Sequence, residues 1–283
     1  MYDSRDPWGA ATEAEWPNTD DPAQLLEAMR GRTGDRKPRL AACAFCRRAA
    51  DSLSEPERIG MDVAERYADG MAVDDERQNC LISLLESVGG IVHSEDRSHL
   101  WAVVETCGIP NAAIAALLND TEMLVDGHTG RCIRGTSGEG MAYRAIFSAR
   151  LSVEHTVRHM SPVVAVQEGW LGRVWRAAGR LAFRRDQSRN EPLARELSHQ
   201  ADLVRDIFGN PFRPVACTPE WRTDTAIALA RTMYESREFG AMPILADALQ
   251  DAGCDNDDVL NHCRVGGPHV RGCWVCDLVL GKV

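Results

Sequence analysis

Six side chains able to ligate a soft or borderline metal fall within 23 positions near the end of the sequence: Cys254, His262, Cys263, His269, Cys273 and Cys276. Tetrahedral zinc needs four such groups converging at about 2.0 to 2.3 Å, and Cys273 and Cys276 have the spacing of a zinc knuckle. The same stretch also reads as two short amphipathic helices whose Val259, Leu260, Val275, Leu278 and Val279 make a small core. In such a core a cysteine is an ordinary apolar filler. Gly266-Gly267-Pro268 explains the chain reversal without a metal pulling it together. The expectation from the sequence is therefore that Cys254, Cys263 and Cys273 are packing thiols and that His262 and His269 are not ligands. A zinc site drawn from Cys254, His262, Cys263, His269 and Cys273 is the alternative.

Other spacings carry weaker chemistry. Cys43 and Cys46 form a second pair three residues apart, and Cys80, Cys107, Cys132 and Cys217 are scattered as small apolar residues would be. His155 and His159 stand one helical turn apart, the ligand spacing of a zinc-protease helix, but Thr156 occupies the place of the glutamate that would act as general base. That pattern reads as a structural or surface pair. Gly135-Thr136-Ser137-Gly138-Glu139-Gly140 is no nucleophile elbow, because Glu139 stands where the second elbow glycine belongs, and no Walker loop or dinucleotide fingerprint occurs. Arg173, Arg176, Arg180 and Arg184 recur at helical steps, with Leu171, Trp175, Ala178 and Ala182 on the opposite face. Such a stripe could bind phosphate groups, an acidic partner or a membrane surface, but in a chain of net charge −10 it reads first as a face paired with the chain's own acidic helices or solvated.

The elements that must position these groups are helical. Thr19-Asp20-Asp21-Pro22 opens a helix through Leu25, Leu26 and Met29, a second runs from 36 to 52, and Ser54-Glu55-Pro56-Glu57 starts a third that Gly70 stops. Apolar residues at steps of three and four predict further helices over 74–88, 96–107, 110–119, 141–159 and 162–185. The same spacing continues over 191–208, 222–237, 243–252, 256–264 and 270–280. Alternating strand patterns are almost absent, so the predicted fold is all-α, with about ten to twelve helices in an array or bundle. The expected layout is a flexible segment over 1–18, an N-terminal helical module over 19–119, a glycine-rich exposed loop over 120–140, and a C-terminal module over 141–283 packed on the first. Ile207, Phe208 and Phe212, beside Pro211 and Pro214, are expected to be buried against the N-terminal helices.

Composition narrows the class. The 283 residues are 44% hydrophobic and 26% charged, which suits a globular chain with a sizeable core. A net charge of −10 argues against general nucleic-acid affinity. No apolar run reaches membrane-spanning length, and the first residues lack a secretory pattern, so a cytoplasmic location is expected, with reduced thiols.

Several stretches carry a family likeness. Thr12-Glu13-Ala14-Glu15-Trp16, Arg36-Lys37-Pro38-Arg39-Leu40 with Cys46-Arg47-Arg48, and Ala64-Glu65-Arg66-Tyr67-Ala68-Asp69-Gly70 lie in the first quarter of the sequence. Leu203-Val204-Arg205-Asp206-Ile207-Phe208-Gly209-Asn210-Pro211-Phe212-Arg213-Pro214-Val215, Pro243-Ile244-Leu245-Ala246-Asp247-Ala248-Leu249, Gly253-Cys254-Asp255-Asn256, His262-Cys263-Arg264 and His269-Val270-Arg271-Gly272-Cys273-Trp274-Val275 lie in the last third. Together they resemble a protein family present in many paralogous copies in planctomycete bacteria. The resemblance implies two terminal segments that pack together around a permissive middle, and it brings no activity with it. Cys276 stands where such relatives often show an apolar residue, which weakens a Cys273–Cys276 metal pair.

The function these readings favour is a non-catalytic interaction or scaffold protein that binds another protein through helical surfaces, Arg173, Arg176, Arg180 and Arg184 among them. The alternative is a zinc-binding protein, or a metal-dependent hydrolase, built on the C-terminal Cys and His residues. A nucleic-acid module using the Arg stripe ranks third.

Overall fold

The computed structural model describes residues 9–29, 31–34, 36–48, 55–87, 124–126, 131–133 and 191–282. Asp21 caps α1 (Pro22–Ala28), its carboxylate accepting from the Ala23 amide at 2.9 Å while Pro22 takes the first turn, where its missing N–H costs nothing. Next come α2 (Arg36–Arg47), α3 (Glu55–Ala68) and α4 (Asp74–Ser87). The C-terminal part contains α5 (Glu191–Phe208), a 3-10 turn at Pro219–Trp221, α6 (Asp224–Ser236), α7 (Met242–Asp251), α8 (Asp257–Arg264) and α9 (Trp274–Leu280). Thr223 and Asn256 cap α6 and α8 by accepting from the third amide of each helix. Apart from one short strand pair, the regular structure of the described residues is thus helical, consistent with an all-α fold, and none of their helices is long and apolar enough to cross a membrane.

Three details differ from the sequence reading. Within the expected loop over 120–140, β1 (Leu124–Asp126) and β2 (Arg131–Ile133) pair antiparallel, with Val125 opposite Cys132. The β-branched Val125 and Ile133 favour extended backbone, and Asp126-Gly127 begins the intervening turn sequence. Second, α2 ends at Arg47 rather than 52. Third, α9 begins at Trp274 rather than 270, because Gly272 sits at φ +97°, outside helical backbone. That glycine also allows a close approach: a Cβ there would lie 2.8 Å from Leu40 Cδ1. The helices predicted over 96–107, 110–119, 141–159 and 162–185 lie outside the described residues, as do His155, His159, Arg173, Arg176, Arg180 and Arg184.

Among the described residues, two apolar clusters form the interior. In the first, Leu25, Leu26 and Phe45 from α1 and α2 pack on Val204 and Ile207 of α5. Trp16 closes its edge against Phe212, ring centroids 6.2 Å apart. The second joins α6 to α9 through Met233, Leu245, Leu249, Val259 and Val279. At the corner after α5, Ile207 is fully buried, whereas Phe208 and Phe212 are half-buried against the first cluster. Ile207→Ala is therefore expected to cost about 2 to 5 kcal/mol in a denaturant titration, and Phe208→Ala less than a fully buried aromatic would. A loss below about 1 kcal/mol for Ile207→Ala would contradict the packing of α5 on α1 and α2.

A charged network joins the N-terminal helices to α6 and α9. The buried carboxylate of Asp69 accepts from Arg36 Nε at 2.9 Å, from the Tyr234 hydroxyl at 2.8 Å and from both Nε and Nη2 of Arg271. Asp277 accepts a forked pair of bonds from Arg36 at 2.7 and 2.8 Å. Nearby, Glu65 takes Arg47 on one oxygen and Arg237 on the other.

Candidate metal centre

Four side chains from four segments meet where the two apolar clusters touch. Asp206 lies in the last turn of α5, between buried Val204 and Ile207. His262 lies in the last turn of α8, His269 in the connection after it, and Cys273 immediately before α9. Asp206 Oδ2 accepts the Val270 amide at 2.9 Å, which pins the connection to α5 and leaves Oδ1 to face the imidazoles. His269 Nδ1 lies 2.8 Å from that Oδ1, and His262 Nε2 lies 3.1 Å from it. His262 Nε2 is also 3.2 Å from Cys273 Sγ. All four ligand atoms fall within 4.8 Å of one another. The two imidazoles meet edge to face at 4.9 Å, and Trp274 covers His262 at 5.1 Å. Cys273 and Asp206 are buried, and the two imidazoles nearly so.

Electrostatics follow this crowding. Burial would lower the His262 imidazole, but its hydrogen bonds to Asp206 and Cys273 outweigh that and push it up to about 9. The same opposition pushes His269 up to about 10. Burial would raise the Asp206 carboxyl, yet both imidazoles hold it below its ordinary value. Burial pushes the Cys273 thiol well up.

Of the ligands considered from sequence, His262, His269 and Cys273 come together, and Cys254 and Cys263 do not belong to the group. Cys254, Cys263 and Cys276 are buried in the second cluster, with Cys276 Sγ 3.7 Å from Met242 Sδ. Cys43 is buried in α2, its Sγ facing the Met61 carbonyl, while Cys80 and Cys217 are half-buried. The fourth member, Asp206, escaped a search limited to Cys and His. Its signal is its position: a carboxylate in the last turn of a helix opposes the helix dipole, and the flanking Val204 and Ile207 mark an inward face.

Comparison with protein-family models, curated proteins and solved structures gave no match to this chain.

Proposed function

We propose that this is a zinc-binding protein whose metal, held by Asp206, His262, His269 and Cys273, locks a helical scaffold rather than performing chemistry. The observation that carries this reading is that one nitrogen of each imidazole, one carboxylate oxygen and one sulfur, from four segments, lie within 4.8 Å of one another. Zinc bonds of about 2.0 to 2.3 Å in a tetrahedron separate neighbouring ligand atoms by about 3.3 to 3.8 Å, so the three close spacings of 2.8 to 3.2 Å would open slightly and the wider ones, up to 4.8 Å, would close on the metal. The charges also suit burial: a thiolate and a carboxylate with two neutral imidazoles cancel a divalent cation.

A cysteine nucleophile activated by histidine fits less well. In that relay the carboxylate takes the ring nitrogen opposite the one facing the nucleophile, whereas Asp206 Oδ1 and Cys273 Sγ both face His262 Nε2. Cys273 is fully buried, which leaves a substrate no approach. Hydrolysis by the metal is likewise disfavoured, since four protein ligands fill the sphere that a catalytic zinc keeps open. The work of the locked fold is then to present its surface to another protein. Membership of the planctomycete paralogue family is part of the same proposal, and the segments that carry the resemblance contribute Asp206, His262, His269 and Cys273, with Lys37 and Asp69 beside them.

Protein purified without added metal is expected to contain about one zinc per chain, and a strong chelator to lower Tm by several degrees, because metal binding to a site present only in the fold contributes to folding. Absence of zinc together with an unchanged Tm would return Cys273, His262 and His269 to ordinary packing.

A further inference from the structure

The ligand-bearing segments are held from outside by one side chain of α2. An ammonium has three donors, and Lys37 uses each in a different place. Nζ donates to the Ile207 carbonyl at 2.7 Å, to the Gly272 carbonyl at 2.9 Å, and pairs with Asp277 at 2.5 Å. Ile207 directly follows Asp206, and Gly272 directly precedes Cys273. Its side chain is 14% exposed, so these bonds are shielded from water. The first carbonyl belongs to the end of α5 and the second to the strained approach to α9, where Gly272 at φ +97° packs on Leu40 of the same α2.

We infer that Lys37 is a positioning residue for the metal centre, through which docking of α2 controls how tightly zinc is held. The inference rests on the metal-centre reading above. A cation at Nζ fixes the separation of two peptide units, one next to a carboxylate ligand and one next to a thiolate ligand, so it sets the distance between those ligands before the metal arrives. Groups that orient ligands in this way commonly change metal affinity by about 10- to 100-fold when removed. Linkage makes the effect reciprocal: zinc that binds better when α2 is docked also holds α2 in place.

The test compares Lys37→Met with Arg48→Met. Arg48 also docks α2 on α5, through a forked pair with buried Glu196 at 2.8 and 2.9 Å, but it does not touch the centre. Zinc affinity is read by competition with a chromogenic chelator, and geometry by the visible absorption of the cobalt-substituted protein. Lys37→Met is expected to weaken zinc binding by about 10- to 100-fold and to alter the cobalt bands, while Arg48→Met, with a comparable loss of Tm, leaves both near wild type. Wild-type affinity in Lys37→Met, or an equal loss in Arg48→Met, overturns the inference. If Lys37→Met does not fold, Lys37→Arg keeps a cation beside Asp277 but replaces the three-way donor with a planar fork. It is expected to bind zinc more weakly, and wild-type affinity and cobalt bands there overturn the inference. A wild-type protein that binds no zinc refutes the metal centre itself, a different outcome from either.

Discussion

Asp206→Ala is expected to abolish zinc retention during dialysis against a weak chelator and to destabilise the protein by about 3 to 5 kcal/mol, the cost of removing one partner from a buried charged group. Asp206 does two jobs with its two oxygens. Oδ1 faces both imidazoles, and Oδ2 anchors the Val270 amide, which holds the connection between α8 and α9 on α5. Removal strands two imidazoles beside a thiol with no anion, and leaves the amide without that acceptor. Asp206→Asn separates the jobs: an amide side chain still accepts the Val270 bond, but it is a far poorer zinc ligand. It should therefore recover part of the stability and little of the metal. Zinc content by elemental analysis and stability by denaturant titration check both variants, and full zinc in either variant would remove Asp206 from the ligand set.

Where the helices lie was legible because local rules coincide with the fold. Asp21-Pro22, Thr223 and Asn256 cap helices whose apolar spacing points the same way, and Gly209 and Gly281 end helices in left-handed backbone. The centre was legible only in its local half. His262, His269 and Cys273 are neighbours in sequence, whereas Asp206 arrives from a helix more than fifty positions away, and pattern along the chain cannot report a contact made by folding. The expectation that His262 and His269 are not ligands rests on an apolar set sufficient for packing, and zinc content decides it. Val259, Leu260 and Val279 do pack, but on one side of α8 and α9, and the other side is turned to α5. The start of α9 differs from the sequence reading because of its backbone. Helical spacing from Val270 is satisfied by the side chains, but the backbone at Gly272 is committed to its close passage over Leu40.

The charged joint between α2, α3, α6 and α9 should be as sensitive as the centre itself. Asp69→Ala is expected to cost about 3 to 5 kcal/mol, because its buried carboxylate is shared by Arg36, Arg271 and Lys282 as well as the Tyr234 hydroxyl. Asp277 still pairs with Arg36, but Arg271 loses its close carboxylate and keeps a 3.9 Å approach to Glu65 and its place 4.9 Å over the Tyr234 ring. As a comparison, Arg58→Ala removes an exposed pair with Glu55 at 3.5 Å and should change stability by no more than about 1 kcal/mol. The pH dependence has a definite sign. Burial would raise the Asp69 carboxyl, but the Tyr234 hydrogen bond and the charges of Arg36 and Arg271 prevail and hold it below the ordinary 3.8. A carboxyl whose folded value is depressed contributes stability that is complete above its unfolded value and is lost as pH falls through the folded one. The wild-type protein should therefore lose this contribution only below about pH 4, whereas Asp69→Asn lacks it at every pH and shows a flatter decline there. Denaturant midpoints measured from pH 7 down to pH 3 for the two proteins decide the matter. Parallel curves would mean that Asp69 is not the carboxylate on which the joint depends.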